Sequence, residues 1–253
     1  NKSMAGHSKW ANIKHRKGAQ DAKRGKVFTK IIKEISVAVK EGGEDYDANP
    51  RLRTAMQNAK GVNMPKENIE RAIKKATGND AANYSESTYE GCAPYGIAIF
   101  IECTTDNINR TVADVRAIFN KYGGELGKNG ALEFLFERKG VFIIDKNNIN
   151  IDLEEMEMEL IDFGLETFDV NSDICHIVCH FDKFGVMQEQ LSKMSIKINS
   201  ADIQRIPHDT KKLELNSALK IINIIEKFEE NDDVQKVFHN LDINDELMSS
   251  LNE

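Results

Sequence analysis

Eight lysines and arginines stand between residues 6 and 30 of the 253-residue chain: Lys9, Lys14, Arg16, Lys17, Lys23, Arg24, Lys26 and Lys30, with Lys33 just beyond. Asp21 alone opposes them, and His7, the single tryptophan Trp10, and His15 share the stretch. The chemistry on offer is anion recognition. Arginine grips a phosphate through a planar fork, lysine acts as a point charge, and an indole stacks on an unpaired base. Arg51 and Arg53 extend the candidate set. Plainer readings stand beside this one. The charges can be a solvated helical face, Trp10 can anchor the core of a small domain, and His7 and His15 can cap or simply face water.

The charge is divided along the chain. Residues 1–78 hold 18 Lys and Arg against 8 Asp and Glu, a net of +10, and the rest holds 16 against 33, a net of −17. The sum is the overall −7. An asymmetry of this size indicates a polyanion-binding module joined to acidic domains.

Three other clusters invite chemistry. In "TDNINRT", Asp106, Asn107, Asn109 and Arg110 crowd a strand-to-helix junction. They read as a polar docking site or, more plainly, as an Asx turn with a helix N-cap. "GGELGKNG" is glycine-rich but lacks the Lys-Ser/Thr ending of a phosphate loop. "CHIVCH" pairs Cys175 and His176 with Cys179 and His180. On a strand, Cys and His alternate between faces and the two Cys stand about 13 Å apart, so they cannot share one tetrahedral ion. Packing is the reading there, and no metal or cofactor is expected. With no Ser-His-Asp set or paired carboxylates in view, neither is an enzyme. The four scattered cysteines suit a reducing compartment. No apolar run reaches ~18 residues, so no membrane helix is expected, and the basic N-terminus does not read as a secretory signal.

The elements that must carry these residues follow from periodicity. Phe28, Ile31, Ile32, Ile35 and Val39 form one helical face, stopped by Gly42-Gly43. Asn49-Pro50 caps a second helix with Leu52, Ala55, Met56 and Ala59 inward, and Pro65 opens a third that ends at Gly78. Residues 79–88 are polar and read as a linker. Thereafter strands are expected at 96–104, 132–136, 141–144, 167–171, 174–181 and 234–239, with a turn at 138–140 and extended chain at 196–206. Helices are expected at 109–122, 153–163, 185–194 and 217–228. This mixture predicts an α+β chain of several domains, three helices first and then sheets covered by helices on one face.

"MAGHSKWANIKHRKGAQDAKRGKVFTKIIKEI", "NPRLRTAMQNAKGVNMPKENIERAIKKATG", "TDNINRTVADVR" and "GGELGKNG" closely resemble the YebC family, over nearly the whole chain from Met4. Its members include bacterial proteins named as probable transcriptional regulators and the mitochondrial translational activator of cytochrome c oxidase. The chain departs from the pattern at Gly18, Ala76, Ala131 and the "IPHDT" of 206–210. The resemblance implies a helical domain at 1–80 followed by two ferredoxin-like α/β sandwich domains. The third, 137–204, would be inserted in the second, 82–136 plus 205–245. It also implies a nucleic-acid-binding regulator of gene expression, with DNA or with ribosomal or transfer RNA as partner. Within that role, a promoter-binding transcriptional regulator leads, and a ribosome-associated factor that relieves stalling at proline runs is the alternative. A monomer, away from membranes, is expected. Residues 1–3 precede Met4 as a cloning remnant or as the end of a cleaved precursor. The compartment is then the bacterial cytoplasm in the first case and a mitochondrion or other organelle in the second.

Overall fold

The computed structural model describes residues 21–78, 82–171 and 173–252. Among them are eight α-helices and eight strands, the strands forming two four-stranded sheets. The chain is α+β and divides into two compact units. One comprises the described parts of Asn1–Lys30, Ala82–Glu137 and Arg205–Glu253, and the other Ile31–Ala81 with Arg138–Gln204.

Helix α1 (Asp21–Gly42) follows its apolar stripe, with Ile35, Val37, Ala38 and Val39 buried. Gly43 ends it with φ +82° and an amide bond back to the Val39 carbonyl at 2.8 Å, a conformation that costs glycine little. Asn49 caps α2 (Pro50–Gly61) by accepting from Leu52 N at 3.0 Å. Its amide also donates to the carbonyls of Ala38 at 2.7 Å and Gly43 at 2.8 Å, so this buried residue ties the end of α1 to the start of α2. Helix α3 (Lys66–Thr77) adds Ile69 and Ala72 to the core, with Pro65 at its cap.

In the first sheet, β1 (Ser85–Ala93) and β2 (Ile97–Thr105) make an antiparallel hairpin. A two-residue strand β3 (Glu125–Leu126) lies beside β1, and β8 (Val234–His239) beside β2. Helices α4 (Ile108–Lys121) and α7 (Leu215–Glu230) cover one face. Ile97, Ile99 and Ile101 pack there on Val115, Phe119, Ile221, Ile225 and Phe228, with α8 (Asp245–Asn252) adding Leu247. Ala98, Phe100 and Phe238 point to the other face, under Phe136, Leu132 and Leu135. Burial on both faces is why β2 reads as an unbroken apolar run.

The second sheet is built by β4 (Phe136–Asp145), α5 (Leu153–Ile161), β5 (Leu165–Val170), β6 (Ile174–His180), α6 (Phe184–Lys193) and β7 (Ser200–Pro207). This βαββαβ order with strands arranged β5-β6-β4-β7 is the split, ferredoxin-like arrangement. All four strands fall between β3 and β8 in the chain, so the second sheet is an insertion in the sequence of the first. Helix α2 meets β7 directly. Asn58 donates to the Ala201 carbonyl and accepts from the Ala201 amide, both at 2.8 Å, as a neighbouring strand would.

The structure corrects three local expectations. Residues 132–135 are not strand: a single 3₁₀ turn, Glu133–Leu135, leads into β4, which begins at Phe136. Residues 138–140 are not a turn but lie inside β4, where Lys139 is buried and pairs with Glu166 at 2.7 Å. The linker at 79–88 is cut short by β1, whose polar first half, Ser-Glu-Ser-Thr, lacks the apolar alternation of a strand. Its ladder to residues 102–105 of β2 supplies what the side chains do not. The largely extended chain expected at 196–206 holds β7 from Ser200 onward. Helix α8 is not among the expected elements; Leu247 is buried and Met248 and Leu251 pack beside it on the core of the first sheet.

Candidate nucleic-acid interface

Of the thirteen proposed nucleic-acid contacts, His7, Lys9, Trp10, Lys14, His15, Arg16 and Lys17 lie outside the described residues, as does the side chain of Lys23. The remaining five have definite surroundings. Arg24 is exposed on α1 and stacks over Phe28, 5.4 Å from the ring centre. Lys26 and Lys30, one turn apart, donate to the Glu230 carbonyl at 2.6 Å and the Glu229 carbonyl at 3.1 Å. These are C-terminal carbonyls of α7, a helix end that cations satisfy well. An ammonium has three donors, so the bond to Glu230 does not exhaust Lys26.

Arg51 and Arg53 are placed differently. Arg51 is half-buried and forked between Glu34 at 2.8 Å and Glu41 at 2.7 Å, so its charge is already balanced by two carboxylates of α1. Arg53 leans over Tyr46, 5.8 Å from the ring centre, and reaches the Asp47 carbonyl at 3.4 Å. The structure therefore gathers Arg24, Lys26 and Lys30 on one end of α1 and places Arg51 and Arg53 on α2. No sequence signal separates the two groups, since the acidic partners of Arg51 lie 17 and 10 residues away.

The junction at 104–111 is a closed set of hydrogen bonds. Asn107 is the N-cap of α4, accepting from Arg110 N at 3.0 Å, while its own amide donates to Thr105 Oγ1 at 2.9 Å. Asn109 is exposed in the first turn of α4. Arg110 reaches Asp106 at 2.8 Å and Asp233 at 2.7 Å. Asp233, just before β8, is 3% exposed and also accepts from Thr111 Oγ1 at 3.0 Å. The Tyr84 phenol nearby is pushed above its ordinary value by burial and then by Asp106 and Asp233. Asp233 was invisible to sequence reasoning because 123 residues separate it from Arg110.

Removing either partner tests this arrangement. Asp233→Ala is expected to cost about 2 kcal/mol, since the half-exposed Arg110 that remains can turn to water and Asp106. Arg110→Met should lower the melting midpoint further, because it takes the cation away from a buried carboxylate. Neither should change affinity for an oligonucleotide. Equal melting of both variants, or lost binding in a folded one, would contradict the assignment.

The glycine-rich turn is held by a carboxylate that sequence reading missed. Glu90 of β1, 2% exposed, accepts from Gly130 N at 2.6 Å and from Leu132 N, and its backbone carbonyl accepts from Gly127 N at 2.7 Å. Cys175 and Cys179 sit in the core beneath α5 and α6, and burial pushes both thiols up to about 12. His176, buried, takes the intervening position of the strand, and His180 is exposed with Nδ1 2.9 Å from Glu166.

Residues 8–79 match the TACO1/YebC protein N-terminal domain, and residues 84–241 match the TACO1/YebC second and third domain. The chain belongs to the TACO1/YebC family. Its relatives include proteins named "Probable transcriptional regulatory protein". One, from Amoebophilus asiaticus, is 51% identical over 96% of this chain and all of its own length. Another, from Syntrophotalea carbinolica, is 48% identical over 98% of this chain and 99% of its own. A third, from Geobacillus thermodenitrificans, is 48% identical over 94% and 97%. The crystal structure of a conserved hypothetical protein from Aquifex aeolicus matches with a TM-score of 0.79 and 40% identity, covering 89% of this chain and 93% of that one. The names carried by this TACO1/YebC group are those of regulators rather than enzymes. No helix among the described residues is long and apolar enough to cross a membrane.

Proposed function

We propose that this TACO1/YebC protein regulates gene expression by binding nucleic acid through its basic N-terminal segment. The observation that carries the reading is the charge division: +10 on residues 1–78 against −17 on the remainder. Lys9, Lys14, Arg16, Lys17, Lys23, Arg24, Lys26 and Lys30 neutralise phosphates and release counterions, and Trp10 stacks on an exposed base. The acidic remainder carries the opposite sign, so attraction for phosphate is strongest at the N-terminal segment. The relatives' names, which speak of transcriptional regulation, favour promoter DNA as the target. The resemblance to the mitochondrial translational activator supports structured RNA on the ribosome as the second reading, where shape rather than base edges would be recognised.

Cross-link mapping of the full-length protein, run on chromatin and on sedimented ribosomes from the same cells, tests both. Enrichment at promoters supports the transcriptional reading. Cross-links confined to ribosomal or transfer RNA move the target to translation. A purified protein free of nucleic acid absorbance at 260 nm that also fails to bind DNA and RNA at low salt overturns the proposal.

A further inference from the structure

Phe134 is the most conspicuous side chain that the basic segment leaves unexplained. It is 72% exposed, while its neighbours Leu132 and Leu135 pack under the first sheet against Phe100, Phe136 and Phe238. The local geometry accounts for the split. In a 3₁₀ turn, positions three apart share a face, so the two leucines point inward together and the phenylalanine between them points out. The turn before it, residues 127–132, is pinned to β1 by the three hydrogen bonds to Glu90. Anchors on both sides thus hold the backbone of Phe134 in place, with its ring largely in water.

We propose that Phe134 is a stacking platform for an unpaired base, and that the turn bearing Lys128 and Asn129 is a second contact for nucleic acid. The inference rests on the nucleic-acid reading above. Its surroundings fit a base better than an apolar protein pocket. Lys128 and Asn129 are both exposed in the same turn, supplying a cation for phosphate and an amide that both donates and accepts. Residues 126–132 contain no carboxylate; of the flanking exposed Glu125 and Glu133, the latter lies 3.7 Å from Arg205. Aromatic stacking on a single strand tolerates any base, because every base has a π-face.

The test uses the full-length chain, with a labelled oligouridylate and a duplex RNA of equal charge as probes. Phe134→Ala should bind the oligouridylate about ten-fold or more weakly, with an unchanged salt slope and unchanged duplex binding. Phe134→Leu should be as weak, since it keeps apolar volume but no ring face, and Phe134→Tyr should restore binding. All three should melt with the wild type, because the ring stands largely in water. A folded Phe134→Ala that binds oligouridylate as tightly as wild type overturns this inference alone. Full rescue by Phe134→Leu overturns it in favour of an apolar protein contact. A wild-type chain that binds neither probe overturns this inference together with the nucleic-acid reading.

Discussion

Replacing Lys14, Arg16 and Lys17 together by alanine should flatten the dependence of log affinity on log salt by about 2–3 units, at ~0.7–0.9 for each phosphate that is no longer neutralised. The three stand within four positions beside His15, in the most cationic part of the chain. The weakening should be nearly the same for every base sequence, because phosphate contacts position the partner and do not read it. Trp10→Ala should behave otherwise: single-stranded or looped RNA weakens by ~1–3 kcal/mol while the slope stays put. If Trp10 is a core anchor instead, melting will fall before affinity does. Titrations at several salt concentrations, paired with thermal melts of each variant, separate these outcomes. An unchanged slope in the folded triple variant would shift the phosphate contacts to residues 23–33. There Lys26 and Lys30 already each give one N–H to a carbonyl of α7, and fewer donors remain for an anion.

Gly61→Ala should be the most destabilising single substitution of a small residue for the next larger one. A Cβ at Gly61 would fall 1.8 Å from the Asn199 carbonyl oxygen and 2.6 Å from its carbon. That backbone cannot readily retreat. Asn199 N donates to the Ile143 carbonyl at 2.9 Å, and Asn199 Oδ1 accepts from Asp145 N at 2.8 Å. Either α2 lifts away and breaks the paired bonds of Asn58 to Ala201, or the ladder beside β4 distorts. Overpacking of this kind costs about 3 kcal/mol. For a protein of this size the melting midpoint should drop by roughly 6–12 °C. Gly25→Ala is the control. It lies inside α1 with nothing among the described residues within 4 Å of the added methyl, and should stabilise by ~0.5–1 kcal/mol. Wild-type melting of Gly61→Ala would mean that helix and strand are not in contact as described.

Much of this protein was determined by local chemistry, and so was legible in one dimension. Asn49 with Pro50 announced the start of α2, the spacing of Ile35 and Val39 announced the apolar face of α1, and the run at 97–101 announced a strand. The division of charge, from which the functional reading starts, needs only counting. What the tertiary structure alone decided are the pairings between distant segments. Glu90 grips a turn some 40 residues on, Asp233 meets Arg110 across 123, and Asn58 completes the backbone of Ala201 across 143. None has a local signature, because a buried carboxylate or amide is stable only where the fold delivers its partners. The same holds for the candidate cations. By composition Arg51 and Lys26 are alike, but folding sets Arg51 between two carboxylates and Lys26 at the end of a helix. Phe134 is the converse case: an apolar residue that a pattern would bury is held outside, because Leu132 and Leu135 take the inward positions of a turn too short to bury all three.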